Sequence, residues 1–175
     1  MQVDFKKAHS SPIFLFNKQY NTPFAESQFQ HDFETLVWFS YRKRFAPLLA
    51  TPKPGKTKRF TSDVGWGCML RCGQMLLARA LMQNEEVRFS PTARTAFRHL
   101  ARPVEAVMDE YRMKRLNLLR KFVDSERAPA APFSISEIAI AGRGMGKQPG
   151  DWYGTNSISQ VLASLNERHK PVPGF

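Results

Sequence analysis

The sequence predicts an α+β domain in which helices dominate, and three observations carry that expectation. The chain has 175 residues and 42% hydrophobic content, enough for one domain with a real core. Apolar residues recur at helical spacing in four stretches, from Phe29, from Met69, from Val104 and from Ile158. The run Ile13-Phe14-Leu15-Phe16, between Pro12 and Asn17, instead suits a strand or a buried extended segment.

Taken in order, residues 1–10 lack periodicity and read as a flexible tail. From Ser27, the spacing of Phe29, Phe33, Leu36, Val37 and Ser40 predicts a helix, with Ser27 and Gln30 as a capping-box pair and Pro47 ending the pattern. Residues 51–59, Thr-Pro-Lys-Pro-Gly-Lys-Thr-Lys-Arg, read as a charged loop. Asn84 to Ser90 reads as a polar break, and Ser90-Pro91 as a new helix start. Val104, Val107, Met108, Tyr111, Leu118, Leu119 and Phe122 give one face of a basic amphipathic helix, with Arg112, Lys114, Arg115, Arg120 and Lys121 mostly opposite. Such a helix can lie on a membrane, but a solvated face is the preferred reading.

Ala128-Pro129-Ala130-Ala131-Pro132 reads as a stiff connector. Phe133 to Ile140 alternates like a strand, yet Ser134 and Glu137 form a capping box and favour a helix. The glycine-rich loop at 142–150 fails as a phosphate loop, because Lys147 is followed by Gln148 and not by Ser or Thr. Ile158, Val161, Leu162 and Leu165 mark a last helix, which Thr155, Asn156 or Ser157 can cap, with Gln160 placed for a box from Ser157.

The stretch richest in chemical meaning runs from Thr61 to Ala78, and Cys68 divides it. Gly65 and Gly67 bracket Trp66 and read as a tight turn; the residues after Cys68 are good helix formers. Cys68 is therefore expected at a helix N-terminus, where unpaired N–H groups and the positive dipole end favour a thiolate and can receive an oxyanion. The helix reads as buried, with Met69, Cys72, Leu76 and Ala80 on one apolar stripe and Arg71, Gln74 and Arg79 as its long polar side chains. On that stripe Cys72 reads as a small buried hydrophobe. Half a metal site is disfavoured, since no other Cys exists and no His is near in sequence. A disulfide is disfavoured too, because Cβ atoms at i and i+4 lie about 5–6 Å apart and a bridge needs about 3.8 Å. Tyr41 is a phenol that needs a partner if buried, a catalytic oxyanion being one possibility among many.

The formal charge of +11 would attract polyanions, but its cations are spread through the chain without a recognisable nucleic-acid signature, so no nucleic acid partner is expected. The N-terminus lacks a signal-peptide apolar run and no apolar stretch approaches a membrane span, which together with two cysteines predicts a reducing, cytoplasmic setting.

Three blocks taken together resemble the N-terminal half of the autophagins, autophagy cysteine proteases with a papain-like fold. They are Leu36 to Phe45 (LVWFSYRKRF), Thr61 to Met75 (TSDVGWGCMLRCGQM) and Gly144 to Asn156 (GMGKQPGDWYGTN). The resemblance covers most of residues 11–166 and weakens over 84–130. It implies one partial papain-like peptidase domain over 11–175, its nucleophile on the central buried helix, with a variable basic helical region at 84–130. It further implies that Cys68 is the nucleophile and that Tyr41 helps the Cys68 amide bind the oxyanion. Trp66, Trp152 and Gly154 would belong to a narrow channel for the substrate tail. The implied substrates are ubiquitin-like autophagy modifiers, cleaved after a C-terminal Gly as free precursors or released from phosphatidylethanolamine, so that a membrane surface is involved indirectly. No cofactor and no metal are implied.

One departure limits the transfer. The family's base and its orienting carboxylate come from an Asp-Pro-His motif, which this sequence lacks, and His9, His31, His99 and His169 offer no convincing substitute. The expectation is therefore a chain holding the nucleophile half of a site, with the C-terminal sheet and its base missing or incomplete and little activity alone. A non-catalytic modifier-binding module and, less favoured, a basic polyanion-binding protein are the alternatives.

Overall fold

The computed structural model describes residues 12–16, 18–21, 25–88, 105–124 and 131–169. The elements, in order, are β1 (Ile13–Leu15), β2 (Lys18–Tyr20), α1 (Glu26–Glu34), β3 (Lys43–Lys53), β4 (Lys56–Ser62), α2 (Cys68–Arg88), α3 (Glu105–Arg120), α4 (Ile135–Ala141), a 3-10 turn (Gly142–Met145) and α5 (Thr155–His169). This mixed helix and sheet content is compatible with a partial papain-like α+β domain. The chain divides after Trp38 into two compact units.

In the first unit, the apolar run expected as a strand is β1, paired antiparallel with β2 in the register Ile13↔Tyr20, Phe14↔Gln19 and Leu15↔Lys18. The Tyr20 ring meets Phe29 of α1 edge-on at 5.2 Å, and its hydroxyl donates to Asp32 Oδ2 at 2.5 Å. Lys18 pairs with the same carboxylate. The helix is much shorter than its periodicity predicts. Ala25 precedes it without a side-chain cap, and Gln30 donates to Glu34 at 2.9 Å and not back to Ser27, so the expected capping box does not form. Thr35 ends the helix, its hydroxyl bonded to the Asp32 carbonyl at 2.6 Å.

The second unit opens with a correction of two expectations at once. Residues read as a helix end and a charged loop form one antiparallel hairpin, β3 with β4, turning at Pro54-Gly55, where Gly55 takes a positive φ. Leu48 and Ala50 point inward on β3 while Pro47 and Leu49 face out, a period of two that helical bookkeeping overlooks, and the irregularity between Lys43 and Leu48, with Arg44 at a positive φ, lets Phe45 be buried as well. The outer edge of β3 is held by the glycine-rich segment: Arg143 donates to the Leu49 carbonyl at 2.5 Å.

Behind the hairpin, α2 packs against α3, α4 and α5. Leu70, Ala78, Leu81, Leu118, Phe122, Phe133, Ile135, Ile138, Val161 and Leu165 form the core, with the Phe122 ring against Phe39 at 5.1 Å and Phe133 at 5.5 Å. At Gly73 α5 comes too close to α2 for a side chain, since a Cβ there would lie 2.5 Å from Ile158 Cγ1. The helix continues through 84–88, where a polar break is expected. The expected start at Ser90-Pro91 lies outside the described residues, as do the 1–10 tail, His9, His99 and most of the proline-rich connector. In α4, Ser134 caps as expected by accepting from the Glu137 amide at 3.2 Å. In α5, Gln160 donates to Asn156 and not to Ser157, and the helix begins on Thr155. Among the described residues no helix is long and apolar enough to cross a membrane.

Candidate active site

Cys68 is the first residue of α2, and its thiol is exposed. The turn that delivers it is built on backbone chemistry: the Asp63 carbonyl accepts from Trp66 N–H at 3.2 Å and Gly67 N–H at 2.8 Å, with Gly65 at φ 88°. The first intrahelical bond runs from Arg71 N–H to the Gly67 carbonyl at 2.9 Å. Gly67 is thus the residue before the helix, where Ser, Thr or Asp would normally cap the free amides. None fits, because a Cβ at 67 would lie 2.6 Å from Asp63 Cβ and 2.8 Å from its Oδ2. The steric demand for glycine leaves the N–H groups of the first turn without a capping side chain, beside the thiol. Such donors are what an oxyanion requires.

Beneath the turn lies a polar network that sequence reasoning missed. Asp63, fully buried, accepts from Arg42 N–H at 2.6 Å through Oδ1 and from Arg71 Nε at 2.7 Å through Oδ2. Arg71, only 3% exposed, reaches Asp124 at 2.7 Å and Gln74 at 2.9 Å through NH1. Gln74 donates to the Phe133 carbonyl at 2.6 Å, and Asp124 Oδ1 accepts from Ile135 N–H at 2.7 Å. One guanidinium and two carboxylates therefore tie the turn, α2, the chain after α3 and the start of α4 together. The available signal is that Arg71 and Gln74 are long polar residues one turn apart in a helix that reads as buried, which gives them no partner in sequence. Arg71 and Gln74 face inward, whereas Cys72 is exposed and Leu76 is 72% exposed, so the expected buried stripe through Cys72 and Leu76 is open.

The same network bears on Tyr41. Asp63 exchanges two bonds with Arg42, through Oδ1 and through its own N–H to the Arg42 carbonyl at 3.3 Å, which fixes the backbone next to Tyr41 to the turn. The Tyr41 side chain itself is about half exposed. Trp152 is 73% exposed, and its Nε1 donates to the Gly65 carbonyl at 2.8 Å. Lys147 donates to the Trp152 carbonyl at 2.9 Å, and the Gln148 amide donates to Asp151 at 2.7 Å, so the segment carrying Trp152 is itself braced. Trp66 differs from the expectation of a second channel wall: it is 3% exposed, packs on Phe60 at 5.7 Å and bonds the Ser62 carbonyl at 2.7 Å. The indole presented at the turn is that of Trp152. Gly154 is exposed, with open space where a Cβ would stand.

Two histidines fall among the described residues. His31 is on α1, and His169 ends α5 with Nε2 4.0 Å from Glu137. His169, in the same unit as Cys68, is paired with Glu137 and not with the thiol.

Comparison with known proteins bears on this geometry. Residues 26–173 match the peptidase C54 catalytic domain. The chain is 35% identical over 157 residues to the cysteine protease ATG4A of Xenopus laevis, covering 88% of this chain and 33% of that protein. It is 33% identical over 156 residues to the Xenopus laevis cysteine protease ATG4B, covering 89% and 34%. With the human cysteine protease ATG4A it shares 33% identity over 154 residues, covering 87% and 33%. The chain thus spans about a third of the length of the curated relatives it matches. A match of this extent, carried through the turn, Cys68 and the Trp152 segment, places the chain in the peptidase C54 family of autophagins.

Proposed function

We propose that this chain carries the nucleophile half of a cysteine endopeptidase that cleaves ubiquitin-like autophagy modifiers after a C-terminal Gly and releases them from phosphatidylethanolamine. The observation that carries the reading is Cys68 itself: an exposed thiol on the first residue of a buried-core helix, preceded by a glycine that bars a capping side chain. In this reading Cys68 Sγ attacks the carbonyl carbon of the modifier's C-terminal Gly, a thioester forms as the Gly C–N bond breaks and the amine leaves, and the Cys68 amide with the Tyr41 hydroxyl receives the oxyanion. Trp152 walls the channel for the tail, with Gly154 leaving room beside it and Trp66 supporting the turn from beneath. A tail ending in Gly suits such a wall, because a larger side chain would meet the indole.

The histidine base and its carboxylate are assigned to sequence beyond the matched third of the relatives, so this chain alone has little activity. The setting is cytoplasmic, where a reactive thiol stays reduced. A second reading has a specific observation in its favour: with His169 paired to Glu137 and not to Cys68, the chain can act as a non-catalytic modifier-binding module.

A ubiquitin-like modifier bearing an electrophile after its C-terminal Gly separates the two. The peptidase reading expects an adduct on Cys68, located by mass spectrometry, absent in Cys68→Ala and formed about tenfold more slowly in Trp152→Ala, a loss equivalent to one contact of about 1.4 kcal/mol. An adduct on Cys72 instead, or capture no faster than for the same electrophile without the modifier, overturns it. Tight binding of the modifier with no adduct supports the binding module.

A further inference from the structure

The hairpin β3–β4 gathers cations that are scattered in the sequence. Between Glu34 and Asp63 the chain has no Asp or Glu. Lys43 and Arg44 stand at the base of the hairpin, Lys53, Lys56, Lys58 and Arg59 toward its turn, and all are exposed. Pairing worsens the local repulsion, because Lys53 lies directly opposite Lys56. Like charges facing each other across an antiparallel ladder destabilise it. The fold gains nothing from that arrangement, but an anionic surface laid against it would offset the repulsion.

We propose that this hairpin is a docking surface for an anionic lipid membrane. The chemistry favours lipid over nucleic acid on three counts. The cations flanking the turn, Lys53 and Lys56, are lysines, flexible point charges that answer a diffuse negative potential and do not offer the planar fork of arginine. The outward face carries an aliphatic side chain, Leu49, half exposed and directly paired with Arg59, which can enter the boundary between headgroups and acyl chains. The hairpin's two aromatic rings are poor platforms for a base: Phe45 is buried, and Phe60, partly exposed, has its ring engaged by Trp66 at 5.7 Å and by Lys58 Nζ 4.7 Å from its centroid. The base of the hairpin, where Ser62 ends β4, leads into the Cys68 turn, and Lys53 and Lys56 stand at the opposite end. The inference stands on charge and register and does not depend on the peptidase reading.

Co-sedimentation of the full chain with phosphatidylcholine vesicles, with and without phosphatidylserine, tests it. Binding is expected only to the anionic vesicles and should weaken as salt rises. Changing Lys53→Gln, Lys56→Gln and Arg59→Gln together, at exposed positions that leave the circular dichroism spectrum unchanged, should lower partitioning about a hundredfold, each cation near an anionic leaflet being worth about fivefold. A control of equal charge loss on α3, Arg112→Gln, Lys114→Gln and Arg120→Gln, should retain binding within a few fold. No binding to phosphatidylserine vesicles, or equal losses in both variants, overturns the proposal. So does single-stranded RNA that binds more tightly than the vesicles at the same salt and loses its affinity in the hairpin variant.

Discussion

The Trp152 indole N–H is bonded to the Gly65 carbonyl at 2.8 Å, joining residues 87 apart in sequence across the turn that presents Cys68. Gly65 has a positive φ, so the carbonyl it offers is aimed by a conformation that other residues rarely adopt. A single bond thereby sets the position of the exposed ring relative to the backbone that leads into α2.

That bond can be removed with the ring retained. Trp152→Phe should cost no more than about 1.5 kcal/mol of stability, the usual net worth of one hydrogen bond, because the side chain is largely in solvent. Binding of a modifier tail should nonetheless weaken by about tenfold as the freed ring loses its orientation. Urea unfolding and a titration with a fluorescent modifier check the two halves, and unchanged affinity would argue against Trp152 as a wall.

Arg71 is the hub of the buried network, and its loss leaves two buried carboxylates facing each other without a cation. Arg71→Met should destabilise by about 3–5 kcal/mol, the usual penalty for breaking a buried ion pair from one side. Arg71→Lys should recover part of this, since one ammonium cannot reproduce the separate bonds to Asp63, Asp124 and Gln74. Chemical denaturation of the three proteins gives the order, and a methionine variant as stable as the parent would mean that the network is dispensable.

Gly73 is required by packing and not by a turn. Alanine is the better helix former by about 1 kcal/mol, but its Cβ would stand 2.5 Å from Ile158 Cγ1, and overpacking of this kind costs about 1–3 kcal/mol. Gly73→Ala should therefore be neutral to destabilising alone. Combined with Ile158→Ala it should cost clearly less than the sum of the two single changes. Thermal unfolding of the full double-mutant cycle measures that coupling, and strict additivity would rule out the contact.

Tyr153 gives the fold a pH dependence at the alkaline end. Burial, with the Asp151 charge as a smaller cause, pushes its phenol up from 10.0 to about 12. A raised value means that the folded state holds the proton more tightly than the unfolded one. The associated stability is complete below pH 10 and is lost as pH rises through about 12. Tyr153→Phe should flatten the stability profile across that window. At neutral pH it should be neutral within about 1 kcal/mol, because the buried hydroxyl has no hydrogen-bond partner among the described residues. Urea midpoints measured from neutral to strongly alkaline pH decide this.

Local rules were strongest where an element's identity depends on its own residues. The glycine-bracketed turn, the helix starting at Cys68 and the Ser134 cap of α4 were all legible, because turn conformation, helix propensity and capping act within a few residues. The hairpin was not legible. Phe29, Phe33, Leu36, Val37 and Ser40 satisfy helical spacing, yet the helix stops at Thr35, residues 37–42 have no regular structure, and Asp63, distant in sequence, takes the Arg42 amide that a helix would have used internally. Pro47 was read as a helix stop, but it sits without conflict in an exposed position of β3.

By itself, then, the sequence determined the thiol at the mouth of a helix and the motifs that align this chain with its family, since both depend on residues close together in the chain. Tertiary structure alone decided which side of that helix meets water. The apolar stripe through Cys72 and Leu76 is open, and the polar pair Arg71 and Gln74 is buried, because Asp63, Asp124 and the Phe133 carbonyl converge there from separate elements and satisfy them. Hydrophobic periodicity registers a side chain's own preference for water or core; it cannot register partners that only folding brings within bonding distance.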